Sequence, residues 1–394
     1  MKRLVFNFIQ IVCITIAVAS AVASAVAGEN VRVRIDKSSG AVKLSGMSLR
    51  FPGQPSGMGG FQSIEIKFKK LGPKVYEWVV AERHSGEVLS KVKAAKFDLS
   101  GSMLRSGFNS VPDRLTIQPT STNKSDLIAT IDIEDYLRGV LPMEMPPSWP
   151  EEALKAQAIA ARTFALFRKA ERERAKASFH LESTVMDQVF RHGAELSQAH
   201  QAKIESAVNE TKGIVLRDRR SKPFAAYFHA DCGGQTEIAS RVWGSGAGTG
   251  QAVDSSCPTR SVWQAKLSKE EIGRRIAESD EKSVRFAKLK LASLTPLTKT
   301  ESGRVDLMQA VWSDGSLSKV SGHEFRMAVG HEVIKSTRFE IASETPTEIQ
   351  FKGSGFGHGV GLCQWGARHM AASGKTHEQI LAHYYPAAAI TALR

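Results

Sequence analysis

Residues 139–166, GVLPMEMPPSWPEEALKAQAIAARTFAL, decide how this chain is built. From Ala153 onward the sequence repeats at helical spacing: Ala153, Gln157, Ala160 and Phe164 form one stripe, with Ala158, Ala161 and Ala165 beside it. Ser148 and Glu151 stand three apart as a capping box, and Pro150 falls in the first turn, where its missing N–H costs nothing. The spacing predicts a central helix whose small residues allow close packing. Lys155 and Arg162 are seven residues apart, close to two turns, so both cations project from one face. Glu144 precedes this helix on a turn hemmed by prolines at 142, 146 and 147. Its neighbours Met143 and Met145 disfavour the carboxylate, which suits a proton donor near neutral pH. A lone acid beside fixed cations is an acid/base site; the competing readings are a solvent-facing glutamate and a solvated charged face.

The bulk numbers limit the setting. The chain has 394 residues, 42% hydrophobic and 24% charged, enough for two or three domains with a buried core. A formal net charge of +13 predicts attraction to polyanions and says nothing about fold. The N-terminus chooses among them. Lys2 and Arg3, an apolar run from about Ile9 to Ala23, and Ala25-Val26-Ala27 read as a secretory signal peptide over residues 1–27. The alternative is an uncleaved anchor, since the apolar run is nearly long enough to span a membrane. Export removes the protein from nucleic acid, so the expected polyanion is the cell envelope, periplasm or wall.

Elsewhere the pattern is α+β. Residues 28–125 read as β-rich: VRVRI (31–35) and IEIKF (64–68) alternate, YEWVV, KFDLS and RLTIQP follow, and FPGQPSGMGG (51–60) is a loop. A mixed α/β core built around the central helix starts at 126 and runs to 265. Residues 266–345 read as an inserted accessory lobe with strands and no catalytic pattern. The core then resumes over 346–394. There GSGFGHGVGLCQWGA (353–367) carries glycine at 353, 355, 357, 359 and 361, which an extended chain would place on one face. Glycines remove side-chain cover, so His358 is expected to border an open cavity and bind substrate or shuttle protons.

Three cysteines remain outside the signal segment: Cys232, Cys257 and Cys363. In an oxidising compartment Cys232–Cys257 is the natural disulfide. Alternatively His229, Cys232 and Cys257 supply zinc ligands, with Cys363 as a fourth. No phosphate loop, no G-x-S-x-G and no H-E-x-x-H occurs. If Glu144 is the one functional acid, a two-carboxylate glycoside hydrolase is disfavoured.

EDYLRGVLPMEMP, the helix EALKAQAIAARTFAL, YFHADCGGQTE with VWG, and GFGHGVGLCQWGA followed by ILAHYYP together resemble the SpoIID/LytB family. The resemblance spans roughly residues 31–390. It implies a lytic transglycosylase acting on peptidoglycan glycan strands, particularly strands stripped of stem peptides, in sporulation-type wall remodelling. It puts the catalytic acid on Glu144 and substrate contacts on Lys155, Arg162, His358, Gly357, Gly359 and Gln364. It requires no cofactor, although a family member binds zinc through a His/Cys cluster. Such an enzyme protonates the glycosidic oxygen and closes a 1,6-anhydro ring with the sugar's own hydroxyl, so one carboxyl suffices. The family name also implies another role, a non-catalytic activator of a cell-wall amidase. Charge-driven polyanion binding alone is a third reading, and it would be indifferent to Glu144.

Overall fold

Period-two alternation builds the first third of the chain. In the computed structural model, which describes residues 28–222, 224–244, 257, 261–279 and 283–393, that part is one large sheet. Its strands are β1 (Asn30–Ser39), β2 (Val42–Arg50), β3 (Phe61–Gly72), β4 (Val75–Glu82), β5 (Val88–Ala94), β6 (Phe97–Ser106), β7 (Asn109–Ser110), β8 (Arg114–Pro119) and β9 (Lys124–Asp132). The spatial order is β1-β9-β8-β6-β2-β3-β4-β5, antiparallel throughout, with β7 on β6. Val31, Val33, Ile64, Ile66, Trp78 and Val80 point inward and are fully buried, while the residues between them are more exposed. The expected signal peptide, residues 1–27, lies outside the described residues.

β9 runs directly into helix α1 (Ile133–Glu144), capped by Asp132, whose carboxylate accepts the Glu134 N–H at 2.9 Å. Helix α2 (Glu151–Arg174) follows after the proline turn. Every residue from Ala153 to Leu166 except Lys155 is buried, so α2 is wrapped on all sides and not along one stripe. Alanines at 153, 156, 158, 160, 161 and 165 make that possible. The expected capping box does not form: the helix starts at Glu151 with Pro150 as its cap residue and no side-chain cap bond. Ser148 is held outside it, in a turn closed by Trp149 N–H to Pro146 C=O at 3.0 Å. Arg168, near the end of α2, is anchored by Asp187 at 2.9 Å.

The accessory lobe has its own core, drawn from Trp263 to Phe351 and so wider than the expected 266–345. Two three-stranded antiparallel sheets and the helices Lys269–Glu278 and Gly322–Val329 enclose it, with Phe286 stacked on Trp312 at 4.7 Å. Its first strand (Val262–Ser268) pairs with its last (Glu348–Ser354). The chain re-enters the main core through the glycine segment and ends in helices Gln364–Ala372 and His377–Tyr384, which pack on α2. The fold is α+β.

Candidate active site

Glu144 is the last residue of α1, not part of a separate turn; the Met145 N–H closes the helix on Leu141 C=O at 3.0 Å, and Pro146 and Pro147 prevent its continuation. Its carboxyl accepts the Val189 backbone N–H at 3.0 Å and a long bond from the Gln364 side-chain amide at 3.5 Å. Among the described residues it makes no ion pair. Burial pushes its pKa up to about 7, against the pull of those two donors. The negative end of the α1 dipole acts in the same direction as burial. Thus Glu144 is a carboxyl that carries its proton near neutral pH.

The loop that donates to it is itself pinned. Gln188 accepts the buried Tyr136 hydroxyl at 3.0 Å, Phe190 stacks on Tyr136 at 5.2 Å, and Arg191 N–H donates to Gly139 C=O at 3.1 Å. A cavity of about 820 Å³ opens alongside, lined by Met143, Phe190, Arg191 and His192 from this side and by Arg105 and Phe108 from β6 and the turn after it. Sequence reading missed this loop, because nothing local marks Val189 as the partner of an acid 45 residues earlier.

Two expected substrate cations are engaged elsewhere. Arg162 is fully buried; Nε and Nη2 donate to the two Glu134 oxygens at 3.0 and 2.6 Å, and Nη1 donates to Ile214 C=O at 3.0 Å. Every face of the guanidinium is spent on the frame, because α1 brings Glu134 against the middle of α2. Lys155 sits at the other end of the stripe and pairs with Glu210 at 2.6 Å, Glu152 at 3.1 Å and Glu151 at 3.4 Å. Those acids raise its pKa, so it is a charged, mostly buried lysine held by three carboxylates. Neither cation contacts Glu144.

The glycine segment is not an extended strand either. Gly355, Gly357, Gly359 and Gly361 all have positive φ, between 72° and 110°, and only short bridges and the strand Leu362–Cys363 are regular. A Cβ on Gly357 would lie 2.8 Å from the His229 Cβ, and one on Gly359 would lie 2.4 Å from the Arg304 Cζ. These two glycines accommodate neighbouring protein side chains. The twisted path does deliver Gln364 to Glu144.

His358 is half-buried, in a ring cluster with Trp243 at 4.9 Å, His229 at 5.6 Å and Tyr227 at 5.8 Å, where Trp243 also stacks on Tyr227 at 4.2 Å. Its Nδ1 accepts the Val360 N–H at 3.0 Å, which leaves the proton on Nε2. Burial first, then the neighbouring His229, Arg326, His323 and Arg304, hold its pKa well below the ordinary value. His358 is therefore a neutral hydrogen-bonding group. His323 and Arg326 belong to the accessory lobe, which thus contributes to this side of the site.

The three cysteines are all buried and form no disulfide. Their sulfurs and a carboxylate oxygen of Asp231 lie within 4.8 Å of one another. Tetrahedral zinc thiolates need sulfurs ~3.8 Å apart, so this donor set fits a zinc-class ion. His229 is not in it: Nδ1 faces Val360 C=O at 3.1 Å, and among the described residues Nε2 is buried without a hydrogen-bond partner. The candidate ligands become Cys232, Cys257, Cys363 and Asp231.

The comparisons agree with the site's sequence signature. Residues 121–217, which carry α1, Glu144 and α2, match the family model described as stage II sporulation protein, SpoIID. The stage II sporulation protein D of Bacillus amyloliquefaciens is 30% identical over 276 residues, covering 68% of this chain and 76% of that protein. The chain belongs to the SpoIID family. Residues 248–361, which take in the accessory lobe, match a family model described as a domain of unknown function. An uncharacterized protein of Brachyspira hyodysenteriae is 32% identical over 261 residues, 66% of each chain. The amidase enhancer of Bacillus subtilis is 28% identical over 297 residues; the match takes in 65% of this SpoIID-family chain and 40% of that protein.

Proposed function

We propose that the protein is an exported lytic transglycosylase that cleaves peptidoglycan glycan strands, with Glu144 as its acid/base. The observation that carries this reading is a partly exposed carboxyl whose pKa is lifted to about 7 with no ion-paired cation and no hydrogen-bonded second carboxyl among the described residues. Such a group donates a proton to a glycosidic oxygen and then accepts one from the substrate's 6-hydroxyl, as a one-acid mechanism requires. Gln364 and the Val189 N–H fix its orientation, and each stabilises the carboxylate left after donation. The cavity beside the 189–192 loop, which Met143 lines and Glu144 does not, carries Arg105, Arg191 and Phe108, a lining that suits an anionic sugar chain. The charge of +13 holds the protein at the anionic envelope.

Incubation with glycan strands stripped of stem peptides tests this directly. Mass spectrometry should find 1,6-anhydro ends with the native protein and none with Glu144→Gln. Reducing ends would indicate hydrolysis instead. A second reading, activation of a cell-wall amidase, draws on the relative named amidase enhancer. It predicts no glycan cleavage at all, and stimulation of an added amidase that survives Glu144→Gln.

The cysteine cluster adds a metal expectation to either reading: zinc held by Cys232, Cys257 and Cys363, with Asp231 beside them. The Asp231 oxygens already accept Gly233 N–H at 2.7 Å and the Ser261 hydroxyl at 2.6 Å. Zinc there supplies structural cross-linking among three chain segments.

A further inference from the structure

The turn Thr300–Gly303 of the accessory lobe reaches into the main core, where the Ser302 hydroxyl donates to Glu237 at 2.7 Å. Behind it comes Arg304, 1% exposed, lying against Gly359. Its Nη2 donates to Cys232 C=O at 2.7 Å and Gln235 C=O at 3.3 Å. Its Nε and Nη1 are buried with no hydrogen-bond partner, and it has no ion pair among the described residues. A guanidinium stays protonated in a protein interior, so Arg304 is a buried cation. A buried cation left uncompensated is costly to the fold. Glu237 answers part of that charge from a distance. The remaining unpaired N–H groups belong to a residue bonded to Cys232 itself.

We propose that Arg304 is the buried counter-charge of a thiolate metal centre formed by Cys232, Cys257 and Cys363, so that loading the metal locks the accessory lobe onto the core. This rests on the zinc reading given above. Three thiolates around a divalent ion carry a net charge of −1, whereas three protonated thiols carry none. Binding releases the three thiol protons to solvent and creates sulfur acceptors for the idle guanidinium N–H groups. The lobe supplies Arg304, the segment before it supplies Cys257, and the core supplies Cys232 and Cys363; the metal then ties all of them together. Outer contacts of this kind are worth 10- to 100-fold in metal affinity.

The full-length protein should be purified as native, Arg304→Met and Arg304→Lys, with circular dichroism to verify folding. Metal analysis and chelator competition then report zinc content and affinity, and thiol alkylation reports how the cysteines are protected. One zinc per native chain is expected, with a loss of at least tenfold in affinity and faster alkylation for Arg304→Met, and a smaller loss for Arg304→Lys. If native protein binds no zinc and its thiols bridge or alkylate freely, the metal centre itself is refuted. If native protein binds zinc and folded Arg304→Met binds it equally well, the metal stands and the role given to Arg304 fails. Should Arg304→Met not fold, cobalt substitution in Arg304→Lys decides: the sulfur-to-cobalt absorption band should move to longer wavelength, and an unmoved band overturns the proposal.

Discussion

The Gln364 amide and the Glu144 carboxyl meet at 3.5 Å although 220 positions separate them in the chain. One ends the first helix of the core and the other begins the helix after the glycine segment. This contact joins the two stretches that carry the family signature, and it works against the burial that raises the acid's pKa. Replacing Gln364 with Leu should raise the Glu144 pKa further, by up to about one pH unit. Carbon-13 NMR of the carboxyl would read the midpoint. A downward or absent shift would mean that the amide does not stabilise the carboxylate.

Glu144 also sets a pH dependence of stability. Its pKa is raised on folding, so its contribution is fully present below about pH 4.5 and is lost as pH rises through about 7. The full cost at alkaline pH is about 3 kcal/mol. Glu144→Gln should therefore match the native protein in urea unfolding near pH 4 and exceed it by roughly 1–3 kcal/mol at pH 8.5. Equal stability at both pH values would contradict a protonated carboxyl at neutral pH. If the proposed reaction holds, cleavage should also fall about tenfold per pH unit above 7.

Arg162→Met should destabilise the protein by roughly 3–5 kcal/mol, because it strands the Glu134 carboxylate in the core. Changing both to well-packed neutral residues, Arg162→Met with Glu134→Leu, should recover much of that loss. Denaturant midpoints of the four forms in a double-mutant cycle give the coupling. Additive losses would return Arg162 to the list of candidate ligand contacts.

Gly359→Ala asks for two costly things at once: a non-glycine residue at φ 86° and a Cβ 2.4 Å from the Arg304 guanidinium carbon. A loss of at least about 2 kcal/mol is expected. Thermal unfolding would measure it. Gly374→Ala, where nothing lies within 4 Å of the added carbon, is the control that isolates the φ cost.

What the sequence made legible was local. The alternating and β-rich runs locate β1, β3, β4, β6 and β8. The failures involve distant partners or a competing local cause. Ser148 matched a capping pattern, but the proline turn fixed the helix start three residues later. Helical spacing places Arg162 on a face with Lys155 but does not reveal that Glu134, 28 residues away, takes donors from the guanidinium. The glycine period suggested an extended face; the residues are glycine because four of them have left-handed backbone and close neighbours. Arg304, in the lobe, carried no pattern at all.

The accessory lobe leaves and rejoins the core at two positions that face each other, since Val262 is registered with Ser354 across its paired first and last strands. An insertion anchored in that way adds no stretch to the host when it grows, shrinks or is exchanged. Relatives can therefore differ widely in this module while the acid and its amide partner keep their spacing. Variation there would change how firmly the lobe is clasped without moving Glu144 away from Gln364.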